Sequence, residues 1–140
     1  MDPYVFYIAL GVLAGIVTYV LLTGPVSENG YKRKVLYANK TVEAIWITWS
    51  PGAKSKPHDH GISTGKIWVA KGQIFQKIFD KKTKEMKNLL MYSAGETLEE
   101  TPDIIHIMGN PSQTEEAETL HVYSPPLKMT DYELAELKFP

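Results

Sequence analysis

Two of the four histidines in this 140-residue chain stand close together, in the stretch Pro57-His58-Asp59-His60-Gly61. If the stretch is extended, the alternation of side chains along a strand places both imidazoles on one face, within reach of a single ion. Imidazole nitrogen is a common ligand of transition metals. The other two histidines, His106 and His121, lie in short apolar runs that also resemble strands. We therefore expect a metal site with a substrate beside it.

Length and composition limit the classes of protein that this chain can be. A chain of 140 residues holds one domain and at most a small appendage. The net charge of −1 gives no basic excess, so nothing indicates a nucleic-acid surface. The chain has no cysteine, which excludes disulfides, thiolate metal ligands and a cysteine nucleophile.

The first 24 residues differ in composition from the rest. Residues 4–22 carry no charge, and as a helix they would span about 30 Å of hydrocarbon. We expect a single membrane helix in residues 1–24, followed by a domain over residues 25–140. A cleaved signal and a buried soluble helix are the alternatives, but a signal normally has a basic start and a shorter apolar run. Basic residues follow the segment and none precedes it, which predicts that the domain is cytoplasmic.

From Tyr31 onward, short β-branched and aromatic runs alternate with turn residues, which predicts an all-β domain. The predicted strands cover residues 41–49, 66–70, 73–79, 87–92, 104–108 and 119–123. Residues 66–70 and 73–79 would form a hairpin around Lys71-Gly72, and residues 131–138 are the one segment that looks helical. A small jelly-roll β-barrel suits these short runs, and such barrels place ligand sites in their mouths.

The histidines also fall at the spacing of two known motifs. The matching residues are Gly52, His58 and His60 for the first motif and Gly95, His106 and Asn110 for the second. This pattern resembles the cupins, although the glutamate that most cupins place after the second histidine would be Thr64 or Gly65 here. The resemblance implies three neutral ligands, His58, His60 and His106. A divalent ion held this way keeps its full charge and attracts anions such as thiolates, although three histidines would also suit zinc.

Longer segments make the resemblance more specific. Residues 58–65 (HDHGISTG), residues 105–111, residues 120–126 (LHVYSPP) and the pair Tyr31-x-Arg33 closely resemble the cysteine dioxygenase family of cupin thiol dioxygenases. Gly65 stands where the mammalian members carry a cysteine that crosslinks to the active-site tyrosine. The chain is therefore similar to the bacterial members that lack this crosslink.

The resemblance implies a reaction and a set of residues that perform it. The implied reaction uses Fe(II) and O2 to convert L-cysteine to cysteine sulfinate, with His58, His60 and His106 as iron ligands. Arg33 would pair with the substrate carboxylate, and Tyr31 would accompany it. Tyr123 would lie near the substrate and oxygen, with His121 and Thr119 behind it.

Two alternatives to this function remain open. One is a dioxygenase for another small thiol, such as 3-mercaptopropionate, and the other is a non-catalytic metal-binding cupin sensor. We expect the catalytic domain to be a monomer.

Overall fold

A computed structural model describes residues 30–140, which form ten β-strands and one short 3-10 helix. The strands are β1 (Tyr31–Ala38), β2 (Glu43–Trp49), β3 (His58–Asp59), β4 (Thr64–Lys71), β5 (Gln73–Asp80), β6 (Met86–Ser93), β7 (Thr97–Glu100), β8 (Ile104–Gly109), β9 (Ala117–Ser124) and β10 (Thr130–Asp131). The 3-10 helix covers Leu134–Glu136. The all-β prediction is therefore confirmed for the described residues.

The strands form two five-stranded sheets, each made of antiparallel pairs. The first sheet has the order β1-β2-β9-β4-β7, and the second has the order β10-β3-β8-β5-β6. Apolar side chains from both sheets share one core, which includes Ile45, Ile67, Ile74 and Leu98. Neighbouring strands are mostly distant in the chain, as in a jelly roll.

Strands β1, β2 and β9 place alternate side chains on the inner face of the first sheet. Tyr31 pairs with Trp49 across β1 and β2, and Arg33 pairs with Ile47. The period of two therefore brings the side chains of residues 31 and 33 to the same side as those of residues 45, 47 and 49. Residues 119, 121 and 123 of β9 alternate in the same way beside β2. This face carries most of the residues that the sequence singled out.

The predicted hairpin around Lys71-Gly72 is wrong. Strand β4 belongs to the first sheet and β5 to the second, so the chain crosses between sheets at this point. Gly72 has a φ of +75°, and a β-carbon there would lie 2.7 Å from the carbonyl oxygen of Glu116. A glycine is required because both the backbone angle and the close approach exclude a side chain. A short turn between two strand-like runs does not reveal which sheet each strand joins.

The predicted helix over residues 131–138 is also wrong, apart from the short 3-10 turn within it. The backbone N–H of Tyr132 donates to the carbonyl oxygen of Pro57, and the N–H of Lys138 donates to that of Lys84. The segment therefore pairs these backbone groups with residues far away in the chain, whereas an α-helix would pair such groups within itself. Tertiary pairing overrides the local helical preference here.

The six predicted strands correspond to β2, β4, β5, β6, β8 and β9. The stretch around His58 is extended as expected, and it pairs with β8. The proposed membrane segment lies in residues 1–24, outside the described residues. Within residues 30–140, no helix has the length and apolar character that a membrane span requires.

Candidate metal centre and its cavity

Three histidines meet beside the second sheet, one on β3, one just after it and one on the adjacent strand β8. His58 pairs directly with His106 across β3 and β8, and His60 follows β3 on the same side as His58. One ligand nitrogen from each of the three side chains lies within 4.8 Å of the other two. His60 and His106 are completely buried, whereas His58 is partly exposed. The structure therefore brings together the three residues that the sequence proposed as metal ligands.

The donor geometry fits a metal ion. The Nε2 atoms of His58 and His106 lie 2.9 Å apart. Two nitrogens that each bind an ion at about 2.1 Å and at right angles are separated by roughly 3 Å. Both ring nitrogens of His60 are buried without a hydrogen-bond partner, and leaving such a group unpaired costs about 1–3 kcal/mol. An ion bound between the three rings would occupy one of these two nitrogens, so the group can hold a metal.

The local electrostatics keep these imidazoles neutral, which is the form that binds metals. The pKa of each of His58, His60 and His106 is lowered to about 3, mainly by burial, and for His58 and His60 also by the neighbouring imidazoles. A neutral imidazole has a lone pair available for coordination. The centre therefore needs no deprotonation at neutral pH before an ion can bind.

A cavity of about 200 Å³ opens beside His58, between the inner faces of β1, β2 and β9. Its lining includes Tyr31, Arg33, Trp49, His121 and Tyr123. Pockets for drug-sized ligands are usually about 300–1,000 Å³, so this cavity suits a small molecule. The sequence reasoning did not assign Trp49 to the site, because a tryptophan in a buried strand is also typical core.

A chain of hydrogen bonds runs along β9 beneath this cavity. The Nε1–H of Trp49 donates to Oγ1 of Thr119 at 2.9 Å, and Oγ1 lies 2.7 Å from Nε2 of His121. Nδ1 of His121 lies 3.0 Å from the hydroxyl oxygen of Tyr123. One direction of donation uses each group once: Thr119 donates to Nε2, and Nδ1–H donates to the phenol oxygen. The hydroxyl proton of Tyr123 is then available for a group in the cavity.

Burial fixes the protonation states within this chain. It lowers the pKa of His121 well below its usual range, and nearby histidines reinforce the shift. Burial also raises the pKa of Tyr123 well above its usual range. His121 is therefore a neutral imidazole, with one donor and one acceptor nitrogen, and Tyr123 is a protonated phenol at neutral pH. The ring of Tyr123 stacks on His60 with centroids 5.4 Å apart, so the phenol lies next to the metal centre.

Comparison with known proteins identifies the family. The sequence profile described as cysteine dioxygenase type I matches residues 24–133. The chain belongs to the cysteine dioxygenase type I family. This family uses thiol substrates and O2. The matched residues 24–133 include the strands of both sheets and every residue that the sequence proposed for the site.

Solved structures show that this cysteine dioxygenase family member has the cupin-like double-stranded β-helix fold. An oxalate oxidase in complex with glycolate is 20% identical with a TM-score of 0.67, over 79% of this chain and 60% of the oxidase. An uncharacterized Klebsiella pneumoniae protein with a double-stranded β-helix domain is 16% identical with a TM-score of 0.67, over 81% of this chain and 94% of that protein. KdgF from Halomonas sp. is 16% identical with a TM-score of 0.62, over 74% of this chain and 88% of that protein. This chain thus spans only about 60% of the length of the oxalate oxidase. At 16–20% identity, these structures show a shared fold and nothing about a shared activity.

In this family member, Arg33 lies at the opposite wall of the cavity from the second sheet. Its Nη2 atom is 3.7 Å from Oε1 of Glu43, and its side chain is 38% exposed. Oε2 of Glu43 accepts the backbone N–H of Leu127, which fixes the carboxylate that holds Arg33. Tyr31 lies two residues before Arg33 on β1, and its ring packs against Trp49 with centroids 4.9 Å apart. Both proposed substrate-binding residues therefore line the same cavity as His58.

Gly65 explains how the tyrosine reaches its position. A β-carbon at Gly65 would lie 2.5 Å from Cε1 and 2.6 Å from Cδ1 of Tyr123. The two residues are directly paired across β4 and β9. The glycine therefore leaves the volume that the phenol ring occupies, and a cysteine there would require the ring to move.

Two polar residues of the centre were missed by the sequence reasoning. Oε1 of Gln76 lies 2.8 Å from Nδ1 of His106, and Oε2 of Glu100 lies 3.2 Å from the same nitrogen. Glu100 stands two residues after the buried Leu98 on β7, where buried and exposed residues alternate. This alternation was a usable signal, because an acid that shares a strand face with an inward leucine also faces inward.

Proposed function

We propose that this protein is an iron-dependent thiol dioxygenase that converts L-cysteine and O2 to cysteine sulfinate. Both oxygen atoms are transferred to sulfur, so the thiol is oxidised by four electrons and O2 is fully reduced without another reductant. The observation that supports this most directly is that three neutral imidazoles form one group, and that one of them, His58, lines the same small cavity as the phenol of Tyr123. The family match supports the same class of chemistry.

The proposed cofactor is Fe(II), held by His58, His60 and His106. When bound, the ion would supply positions for the thiolate and for O2, and three neutral ligands would leave its positive charge available for the thiolate. Zinc would suit the same donors, but it has no redox chemistry.

The protein side chains would bind and orient the substrate. The guanidinium of Arg33 can form two parallel hydrogen bonds with a carboxylate, which would exchange its 3.7 Å contact with Glu43 for a stronger one. The hydroxyl group of Tyr123 would donate to the oxygen that reacts, and His121 would keep that proton directed into the cavity. Holding the thiol and O2 together is itself a large contribution to rate.

The test uses the full chain, loaded with ferrous iron under argon and mixed with cysteine and isotopically labelled O2. We expect equal consumption of O2 and cysteine, with both labelled atoms in the sulfinate by mass spectrometry. The same assay with 3-mercaptopropionate tests the alternative substrate. Iron binding without O2 uptake from either thiol would contradict the enzyme and support a metal-binding sensor. A His58→Ala variant that held stoichiometric iron would contradict the ligand assignment.

We also propose that residues 1–24 anchor the protein in a membrane, with residues 25–140 on the cytoplasmic side. The uncharged run at residues 4–22 and the basic residues that follow it support this arrangement. The protein should remain in the membrane fraction after extraction at alkaline pH. Protease added to sealed inside-out vesicles should digest the domain, whereas protection of the domain there would contradict the orientation.

A further inference from the structure

Glu100 is an acidic residue in a position where acids are rarely found. It is the last residue of β7, it is 1% exposed, and neither carboxylate oxygen has a hydrogen bond of good geometry. Removing a carboxylate from water without a partner is costly. Glutamate is therefore almost never fully buried unless it is paired. The functional state should supply a partner that this carboxylate can use.

The nearest polar atoms to this carboxylate belong to the metal centre. Oε2 of Glu100 lies 3.2 Å from Nδ1 of His106 and 3.9 Å from Nδ1 of His60. In contrast, the close approach of His58 and His106 involves their Nε2 atoms. The carboxylate therefore lies beside the outer nitrogen of His106 and beside Nδ1 of His60, and the described three-residue metal cluster does not include it.

The outer nitrogen of each metal-binding histidine needs an acceptor. A histidine that coordinates through Nε2 carries its proton on Nδ1, and a hydrogen bond at Nδ1 fixes the ring. Nδ1 of His58 lies 2.8 Å from the carbonyl oxygen of Lys56, and Nδ1 of His106 lies 2.8 Å from Oε1 of Gln76. Nδ1 of His60 has no hydrogen-bond partner. Oε2 of Glu100 lies 3.9 Å from this nitrogen, about one ångström beyond hydrogen-bonding distance.

We propose that Glu100 is a positioning residue for the metal centre, whose carboxylate accepts a hydrogen bond from Nδ1–H of His60 and thereby keeps Nε2 of His60 directed at the ion. This role rests on the metal site proposed above. Burial raises the pKa of Glu100 to about 8. A bound cation nearby would favour the ionised form, which would then add a negative charge beside the cation from strand β7. Gly65 lies directly opposite Glu100 in the β4–β7 pair, and it has no side chain that could supply such a charge. Strand β7 thus provides an acidic side chain at the position paired with Gly65.

Cobalt(II) titration of the full chain tests this role without measuring turnover. The variants are Glu100→Gln, which keeps the shape and removes the charge, and Glu99→Gln, a control at the exposed neighbouring position. We expect Glu100→Gln to weaken Co(II) binding about 10- to 100-fold in competition with a chelator. The Glu99→Gln variant should bind like the wild type. The visible spectrum of the saturated Glu100→Gln protein should keep its band shape, because Glu100 does not coordinate the ion.

Other measurements separate positioning from a general structural role. The metal-free Glu100→Gln protein should melt no lower than the metal-free wild type, because the substitution removes an unpaired buried acid. Glu100→Asp, which keeps the charge on a shorter side chain, should bind Co(II) with an affinity between the wild type and Glu100→Gln. Unchanged Co(II) affinity in Glu100→Gln would overturn the proposal, and so would a changed spectrum, which would make Glu100 a ligand. Failure of the wild type itself to bind Co(II) would instead contradict the proposed metal site.

Discussion

Nδ1 of His121 lies 3.0 Å from the hydroxyl oxygen of Tyr123, and these two residues stand two apart on strand β9. The period of the strand places both side chains on the cavity face, so the contact follows from their spacing. Behind His121, Thr119 and Trp49 continue the same chain of hydrogen bonds. When Thr119 donates to His121, and His121 donates to Tyr123, this chain leaves one phenol proton available at the metal centre.

Replacement of Tyr123 by phenylalanine should remove that proton without emptying the metal site. The phenol is not one of the three grouped donors, so iron content should stay that of the wild type. Losing one oriented hydrogen-bond donor typically lowers kcat about 100- to 1,000-fold. Tyr37→Phe is the matched control, since Tyr37 is exposed on β1. Wild-type kcat in Tyr123→Phe with full iron content would contradict the donor role.

Thr119→Val should weaken the orientation of His121 and Tyr123 while keeping the shape of the side chain. It also leaves the buried Nε1–H of Trp49 without its acceptor, which costs about 1–3 kcal/mol of stability. We expect a lower melting temperature together with a lower kcat. Thr119→Ser, which keeps the hydroxyl group, should restore most of both values. A serine variant as inactive as the valine variant would show that the hydroxyl group is not the relevant feature.

Arg33→Gln should raise KM for cysteine and leave iron content unchanged. Loss of a charged hydrogen bond of about 1.5–3 kcal/mol corresponds to a rise of roughly 10- to 100-fold. Cysteamine, which lacks the carboxylate, is the internal control, because its KM should respond little to the substitution. Lys34→Gln, on the opposite face of β1, should affect neither substrate. An equal loss for cysteine and cysteamine would mean that Arg33 does not recognise the carboxylate.

Gly65→Ala should displace the ring of Tyr123, because the added carbon would lie 2.5 Å from Cε1. Forcing extra volume into a packed site typically costs about 1–3 kcal/mol. We expect a lower melting temperature and a loss of turnover similar to that of Tyr123→Phe, with metal still bound. Gly95→Ala is a useful control, since a β-carbon there meets nothing within 4 Å, although its φ of +94° adds some backbone strain. A Gly65→Ala protein with wild-type stability would contradict the packing argument.

The metal-free protein should lose stability in acid through its buried histidines. The pKa values of His58, His60 and His106 are lowered to about 3 in the folded chain, mainly by burial, from an ordinary value of 6.5. Below pH 6.5 the unfolded chain therefore binds protons that the folded chain does not, so the free energy of unfolding falls as pH falls from 6.5 toward 3. Denaturant titrations at several pH values should show this slope. His58→Gln should reduce it, and an identical slope in that variant would contradict the burial effect.

The sequence alone identified the histidines and the tyrosine of the site and most of the strands that carry them. The His58-Asp59-His60 spacing required only that the segment be extended, and the Thr119-His121-Tyr123 spacing required the same of β9, because a strand repeats every two residues. The motif spacing also brought His106 into the predicted group. Local patterns of this kind operate within one strand, and they were sufficient for six of the strands.

Only the tertiary structure decided what surrounds these residues. Whether β4 pairs with β5 or crosses to the other sheet depends on partners far along the chain, so the hairpin prediction at Lys71-Gly72 failed. The last segment, residues 131–138, pairs with earlier strands and so does not form a helix. The acceptors Gln76 and Glu100 reach the histidines from β5 and β7, which no local spacing connects to them. Contacts between distant strands depend on sheet order, which the alternation within a single strand does not specify.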